Sequence, residues 1–151
     1  HLNGQSVRAA GIPSTGTHWA VLGEAVVSGG QAPLPVACTQ AYGGLAYGAT
    51  GEKLPPEIPN YSTLANDLKR WERVVLRVYA TGEGLQVKGK PYHFRRLATT
   101  QYDDGVPLYT GKTAPLVNLG WDDEGIIRIT HYTPLPCTVL MVSGKIDVGE
   151  Q

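Results

Sequence analysis

The sequence predicts a mainly β chain, an antiparallel β-sandwich or jelly-roll-like fold in a single domain over residues 1–151, and three observations predict it. First, 19 Gly and 11 Pro in 151 residues punctuate the chain at about one position in five, against an average nearer one in eight. That density excludes a coiled coil or helical bundle. With 42% hydrophobic residues, it separates short buried elements rather than forming a disordered linker. Second, the clearest apolar run alternates with its neighbours at period two, as a half-buried strand does. Third, such runs return at roughly ten-residue spacing with turn residues between them, the rhythm of antiparallel strands rather than of βαβ units.

Taken in order, residues 1–16 read as an N-terminal arm, because Leu2, Val7 and Ile12 are too sparse for a periodic face and Gly11-Ile12-Pro13-Ser14-Thr15-Gly16 is turn chemistry. Residues 17–27 read as a strand pair or bulged strand broken at Gly23. Residues 28–59 are expected to be a long Gly/Pro-rich loop, with Gly29-Gly30, Gly43-Gly44 and Pro55-Pro56 leaving room only for very short elements. One short helix is predicted near residues 63–71: Ser62 or Thr63 caps it, and Leu64, Leu68 and Trp71 recur at i, i+4, i+7. A β core follows over residues 73–148. In residues 73–80, Val74, Leu76 and Val78 take one face and Val75, Arg77 and Tyr79 the other. Residues 85–88 and 91–99 flank Gly89-Lys90 as a hairpin. Residues 116–121 and 126–132 are expected to form a second hairpin across Asp122-Asp123-Glu124-Gly125. Residues 137–148 form the last strand, with Gly144 as a bulge.

Charge and composition narrow the function classes. Thirteen Lys and Arg balance thirteen Asp and Glu, which removes the electrostatic attraction behind most nucleic-acid affinity. No apolar run reaches the length that spans a membrane as a helix, so neither nucleic acid nor membrane insertion is expected. The chain opens on His1 with no leader pattern before it, which suggests either a processed end or a remnant of how the chain was produced. Cys38 and Cys137 lie far apart and in no metal or redox spacing, so they read as two small thiols or as a single long-range disulfide.

No catalytic motif emerges. Gly111-Lys112-Thr113 imitates a phosphate loop, but the nearest preceding glycine, Gly105, is at the wrong spacing, and Pro115 blocks the helix that the motif requires. Gly82-Glu83-Gly84 reads as a turn. His18, His93 and His131 show no metal-ligand spacing, and His131 is expected to be a hydrogen-bonded imidazole on the Ile127–Ile129 face. Asn60-Tyr61-Ser62 matches a glycosylation acceptor. Catalytic, cofactor and metal residues are therefore expected to be none.

The aromatic residues carry more information. Eight Tyr and three Trp stand against one Phe, a bias towards rings with a polar handle that suits half-wet interfaces. Tyr42 and Tyr47 lie beside Gly43-Gly44, where a partner backbone can come close. With Trp121 and Trp19 they form the candidate interaction surface. The same rings suit a carbohydrate-binding β-sandwich, the alternative reading.

The stretches Trp71-Glu72-Arg73-Val74-Val75-Leu76-Arg77-Val78-Tyr79, Pro91-Tyr92-His93-Phe94-Arg95-Arg96-Leu97, Leu119-Gly120-Trp121 and Pro134-Leu135-Pro136-Cys137-Thr138-Val139-Leu140 give the C-terminal half a texture that resembles domains of tailed-bacteriophage virion proteins. The resemblance implies a non-enzymatic tail, fibre or capsid-decorating component present in several copies. It would be assembled in the host cytoplasm into the virion, with other virion proteins, copies of itself and a host-surface glycan as partners; outside that setting a soluble extracellular protein is expected. The arm and the 28–59 loop are expected to make the inter-subunit contacts.

Overall fold

The computed structural model describes residues 2–56, 67–94 and 105–149. Within them the chain is built from antiparallel strands in three sheets, an arrangement consistent with a β-sandwich. The elements are β1 (Ser6–Pro13), β2 (Ala20–Val26), β3 (Cys38–Leu45), β4 (Ala49–Glu52), β5 (Lys69–Thr81), β6 (Leu85–Val87), β7 (Lys90–Pro91), β8 (Tyr109–Lys112), β9 (Leu116–Val117), β10 (Trp121–Asp122), β11 (Arg128–His131) and β12 (Thr138–Val148).

The main core lies between two sheets. In one, β5 is central, with β12 along one edge and the short strands β10, β9 and β8 along the other; the second runs β4-β11-β6-β7. Val74, Leu76 and Val78 of β5 are buried as their alternation predicts, against Leu85 and Val87 of β6, Tyr92, Leu119 and Ile127. Each fully buried aliphatic side chain of this kind contributes about 1.5–3 kcal/mol relative to exposure. Trp71 joins the same cluster because of a bulge. Lys145 pairs with Arg73 while Ile146 pairs with Trp71, so Glu72 is an extra residue and both Glu72 and Arg73 point outward. A second bulge sends Leu140 and Met141 outward together, since Val139 pairs with Val78 and Met141 with Arg77.

Several expectations are corrected. Residues 69–71 of the expected helix are the start of β5, and its first part lies outside the described residues, as do Asn60-Tyr61-Ser62, Arg95 and Arg96. The expected arm is a strand. β1 is the centre of a three-stranded sheet ordered β2-β1-β3, and Val7, Ala9 and Ala10 are buried. Small residues serve there because the space is small: a Cβ on Gly11 would stand 2.5 Å from the Gln40 carbonyl oxygen. The expected 28–59 loop contains β3 and β4, which carry the chain from the β1 sheet to the β11 sheet. Residues 116–132 form no hairpin, because β9 and β10 pair with β5 whereas β11 pairs with β4 and β6.

Other expectations hold. β2 carries a bulge beside Gly23, whose φ is +107°. Residues Lys88 and Gly89, both at positive φ, turn β6 into β7. One is corrected: Gly144 is not a bulge, since it pairs in register with Val74, but a close approach, where a Cβ would meet the Arg73 carbonyl oxygen. Both cysteines are free thiols, and burial pushes the Cys137 thiol up, away from the reactive thiolate.

Candidate functional site

The structure brings three of the four expected aromatic residues to one place. Tyr42 of β3 stacks on Trp19, just before β2, with ring centroids 5.0 Å apart and planes within 12°. Tyr42 and Tyr47 then line a cleft with Arg8, Gly43, Gly44, Leu45, Tyr132 and Pro134, about 210 Å³ in volume. Trp121 is elsewhere. It lies on β10, packed against the Arg70 guanidinium at 4.8 Å and close to Gly149.

Arg8 organises the floor. It sits in β1 opposite Gly44 of β3 on one side and Glu24 of β2 on the other; residues directly opposite share a face. Its Nε donates to Glu24 Oε1 at 2.5 Å, and a terminal guanidinium nitrogen donates to the Tyr132 carbonyl oxygen at 2.8 Å. The β1 sheet is thereby tied to the end of β11. The Tyr132 ring in turn packs over Gly48, its Cδ1 3.4 Å from where a Cβ would stand. Neither Arg8 nor Tyr132 stood out in the sequence. The first lies in the stretch read as an arm, and the second is the last residue of an expected strand, with nothing to mark it for a site.

The segment that supplies Tyr42 and Tyr47 is unusual in its exposure. Seven of the eight β3 residues and all four of β4 are exposed, although an ordinary sheet strand buries one face. Leu45, Tyr47 and Leu54 are 55%, 66% and 83% exposed, and Tyr42 is 71% exposed despite its stacking. Gly44 and Gly51 have open space where a Cβ would go, Gly43 has only the Arg8 carbonyl oxygen at 3.9 Å, and none of the three has a positive φ. Neither turn geometry nor crowding within the chain requires glycine at these positions.

Elsewhere the sequence candidates are absorbed into the fold. The Thr113 hydroxyl accepts the Leu76 amide at 3.0 Å, so Gly111-Lys112-Thr113 is a strand end. Lys88 pairs with Asp122 at 2.5 Å, Lys90 donates to the carbonyl oxygens of Val117 and Asn118, and the buried Tyr92 hydroxyl donates to the Val74 carbonyl oxygen. No group of three or more His, Cys, Asp or Glu among the described residues is placed to hold a metal ion. No helix among them is long and apolar enough to cross a membrane.

His131 is buried, and its Nε2 lies 3.1 Å from Thr133 Oγ1, which itself donates to the Glu83 carbonyl oxygen. With that hydroxyl hydrogen committed, the neutral imidazole carries its proton on Nε2. Burial holds the ring below the usual histidine range, the Glu83 carbonyl opposing. Because the folded value lies below the unfolded value of 6.5, the unfolded chain takes up its proton first as the pH falls. This contribution to stability is complete above the unfolded value and is lost as the pH falls through the folded one. Urea midpoints are therefore expected to be lower at pH 5 than at pH 8, with the difference reduced in His131→Gln.

In comparisons with known proteins, the chain matches no family model and no curated protein.

Proposed function

We propose that the chain is a non-enzymatic structural component of a multi-copy particle, of the tail, fibre or capsid-decorating kind found in bacteriophage virions, and that the ribbon over residues 38–54 is its docking element. The observation that carries this reading is the ribbon itself. A strand exposed on both faces, with Tyr42, Leu45, Tyr47 and Leu54 in solvent, leaves apolar area that association would bury. Glycines within a strand weaken it unless something must come close, and Gly43, Gly44 and Gly51 meet no crowding inside the chain. A neighbouring backbone is what they accommodate. The cleft volume of about 210 Å³ is below the roughly 300 Å³ of a pocket for a drug-sized ligand and suits one inserted side chain or ring.

Light scattering tests the reading. The wild-type chain is expected to exceed the 16.2 kDa of a single copy. A Tyr42→Ser/Tyr47→Ser variant, altered only at exposed positions, is expected to keep the fold by circular dichroism and run as one copy. A monomeric wild type with residues 38–54 resistant to protease would oppose the proposal.

A second reading, recognition of a glycan, is favoured by the grouping of Tyr42, Tyr47 and Tyr132 with Arg8 in one cleft, because aromatic faces and a guanidinium suit a sugar ring. Retention on a glycan array that is lost in Tyr47→Ala would favour it over self-assembly.

A further inference from the structure

The outer face of the β5 sheet carries an electrostatic anomaly. Arg77 of β5 lies directly opposite Lys112 of β8, and Arg73 of β5 lies directly opposite Lys145 of β12. Like charges placed opposite one another across strands destabilise a sheet. All four cations are exposed. Glu72, turned outward by the bulge, pairs with Lys145 at 2.5 Å, and no ion pair joins Arg73, Arg77 or Lys112 to any carboxylate among the described residues. Glu72 and, more weakly, Asp147 raise the affinity of Lys145 for its proton, with Arg73 opposing. Tyr79, Leu140 and Met141 are exposed beside them. A chain of zero net charge thus gathers an excess of positive charge on one open face.

The balancing charge has a counterpart on the same chain. At the turn after β10, Asp122 Oδ1 accepts the amides of Glu124 and Gly125 at 2.9 and 3.1 Å, and the buried Lys69 ammonium donates to the Asp67 and Asp123 carbonyl oxygens. These bonds hold the turn in one shape before any partner arrives, which limits the ordering cost of binding. Lys88 pairs with the Asp122 carboxylate, and the exposed Asp123 and Glu124 are left as an acidic tip. Arg73 and Arg77, four residues apart on one strand, are about 13 Å apart. Three consecutive acidic residues span about 7 Å of backbone and fit between the two cation pairs.

We infer that the Arg73–Arg77–Lys112–Lys145 face receives the Asp122–Glu124 turn of a second copy of this chain, in a head-to-tail contact. The contact joins two different patches, so it either forms twice about a twofold axis or repeats into a ring or filament. It also supplies carboxylates to Arg73, Arg77 and Lys112, which join no ion pair among the described residues. The inference shares the self-assembly reading above but rests on different residues. The ribbon contact is apolar and persists in salt, whereas this one is screened, so the two can fail separately.

Sedimentation velocity in low and high salt, on the wild type, on Arg73→Glu/Arg77→Glu and on Asp123→Lys/Glu124→Lys, tests it. The wild type is expected to sediment faster in low salt than in high salt. Each variant alone is expected to lose that salt-dependent increment, because both of its surfaces then carry the same sign. An equimolar mixture of the two variants is expected to regain it. The fold is controlled by thermal melting: the first variant is expected to melt no lower than wild type, since each new Glu faces a Lys. A salt-independent wild type, an increment retained by either variant alone, or a mixture that stays unassociated would each overturn the inference. Loss with the face variant but not with the turn variant would also overturn it, in favour of a different anionic partner.

Discussion

Replacing Trp71 by Ala is expected to cost about 3–5 kcal/mol, the range for emptying a buried aromatic site. That is a large share of the roughly 5–15 kcal/mol that holds a domain of this size together. Trp71 is 5% exposed, and its ring closes the end of the main core where three segments meet. Its Nε1 donates to the Gly125 carbonyl oxygen at 2.7 Å, which fastens the acidic turn to β5. Its other edge lies against Gly144 of β12, and the Lys53 ammonium stands 4.9 Å from the ring centre. Trp71→Phe separates packing from bonding, because it keeps most of the ring and leaves the carbonyl unpaired. About 1–3 kcal/mol of loss is expected from that variant. Urea denaturation followed by circular dichroism reads both. A Trp71→Ala variant as stable as wild type would mean that the turn and the two strands are held by something else.

The second large effect concerns two glycines that look alike in the sequence. Gly144→Ala is expected to lose about 1–3 kcal/mol, as overpacking does. The new Cβ would stand 2.4 Å from the Arg73 carbonyl oxygen and 2.9 Å from the Trp71 ring, and a paired backbone oxygen cannot swing aside. Gly44→Ala meets nothing within 4 Å at ordinary backbone angles. The folded chain is therefore expected to keep its stability or gain up to about 1 kcal/mol as the unfolded chain loses freedom. The contrast separates a glycine required by the fold from one that the ribbon account assigns to a neighbour's approach. Equal losses at both positions, measured by urea denaturation, would contradict that assignment.

How much of this the sequence revealed depended on whether local pattern or distant pairing decided the element. The stretch from Val74 to Val78 alternates without interruption, and it is the centre of the core. Three residues earlier the same strand was misread as a helix. The helix reading rests on Leu64, Leu68 and Trp71 at helical spacing, whereas Trp71 belongs to β5, where the bulge at Glu72 puts it in the core with Val74. β1 was hidden for a different reason. Its buried positions include Ala9, Ala10 and Gly11, chosen for the narrow space beside β3 and too small to register as an apolar face. That misreading also concealed Arg8, the residue that anchors the cleft floor.

At the candidate site, the rings themselves were visible. Tyr42 and Tyr47 were singled out by their place beside Gly43-Gly44, and Trp19 proved to be stacked on Tyr42. Trp121 shared their chemistry but not their location, because β10 pairs with the start of β5, a contact about fifty residues away in the chain that no local signal encodes. The 116–132 hairpin failed in the same way: the turn was read correctly, but its flanking strands pair with other segments.

Hydrogen exchange measured on dilute and concentrated wild-type protein tests the docking ribbon most directly. If β3 and β4 are docking strands, their outward-facing amides exchange fast in dilute solution and become protected as concentration rises, while the amides of β5, already buried in the core, do not change. Fast exchange across residues 38–52 at every concentration would contradict the account.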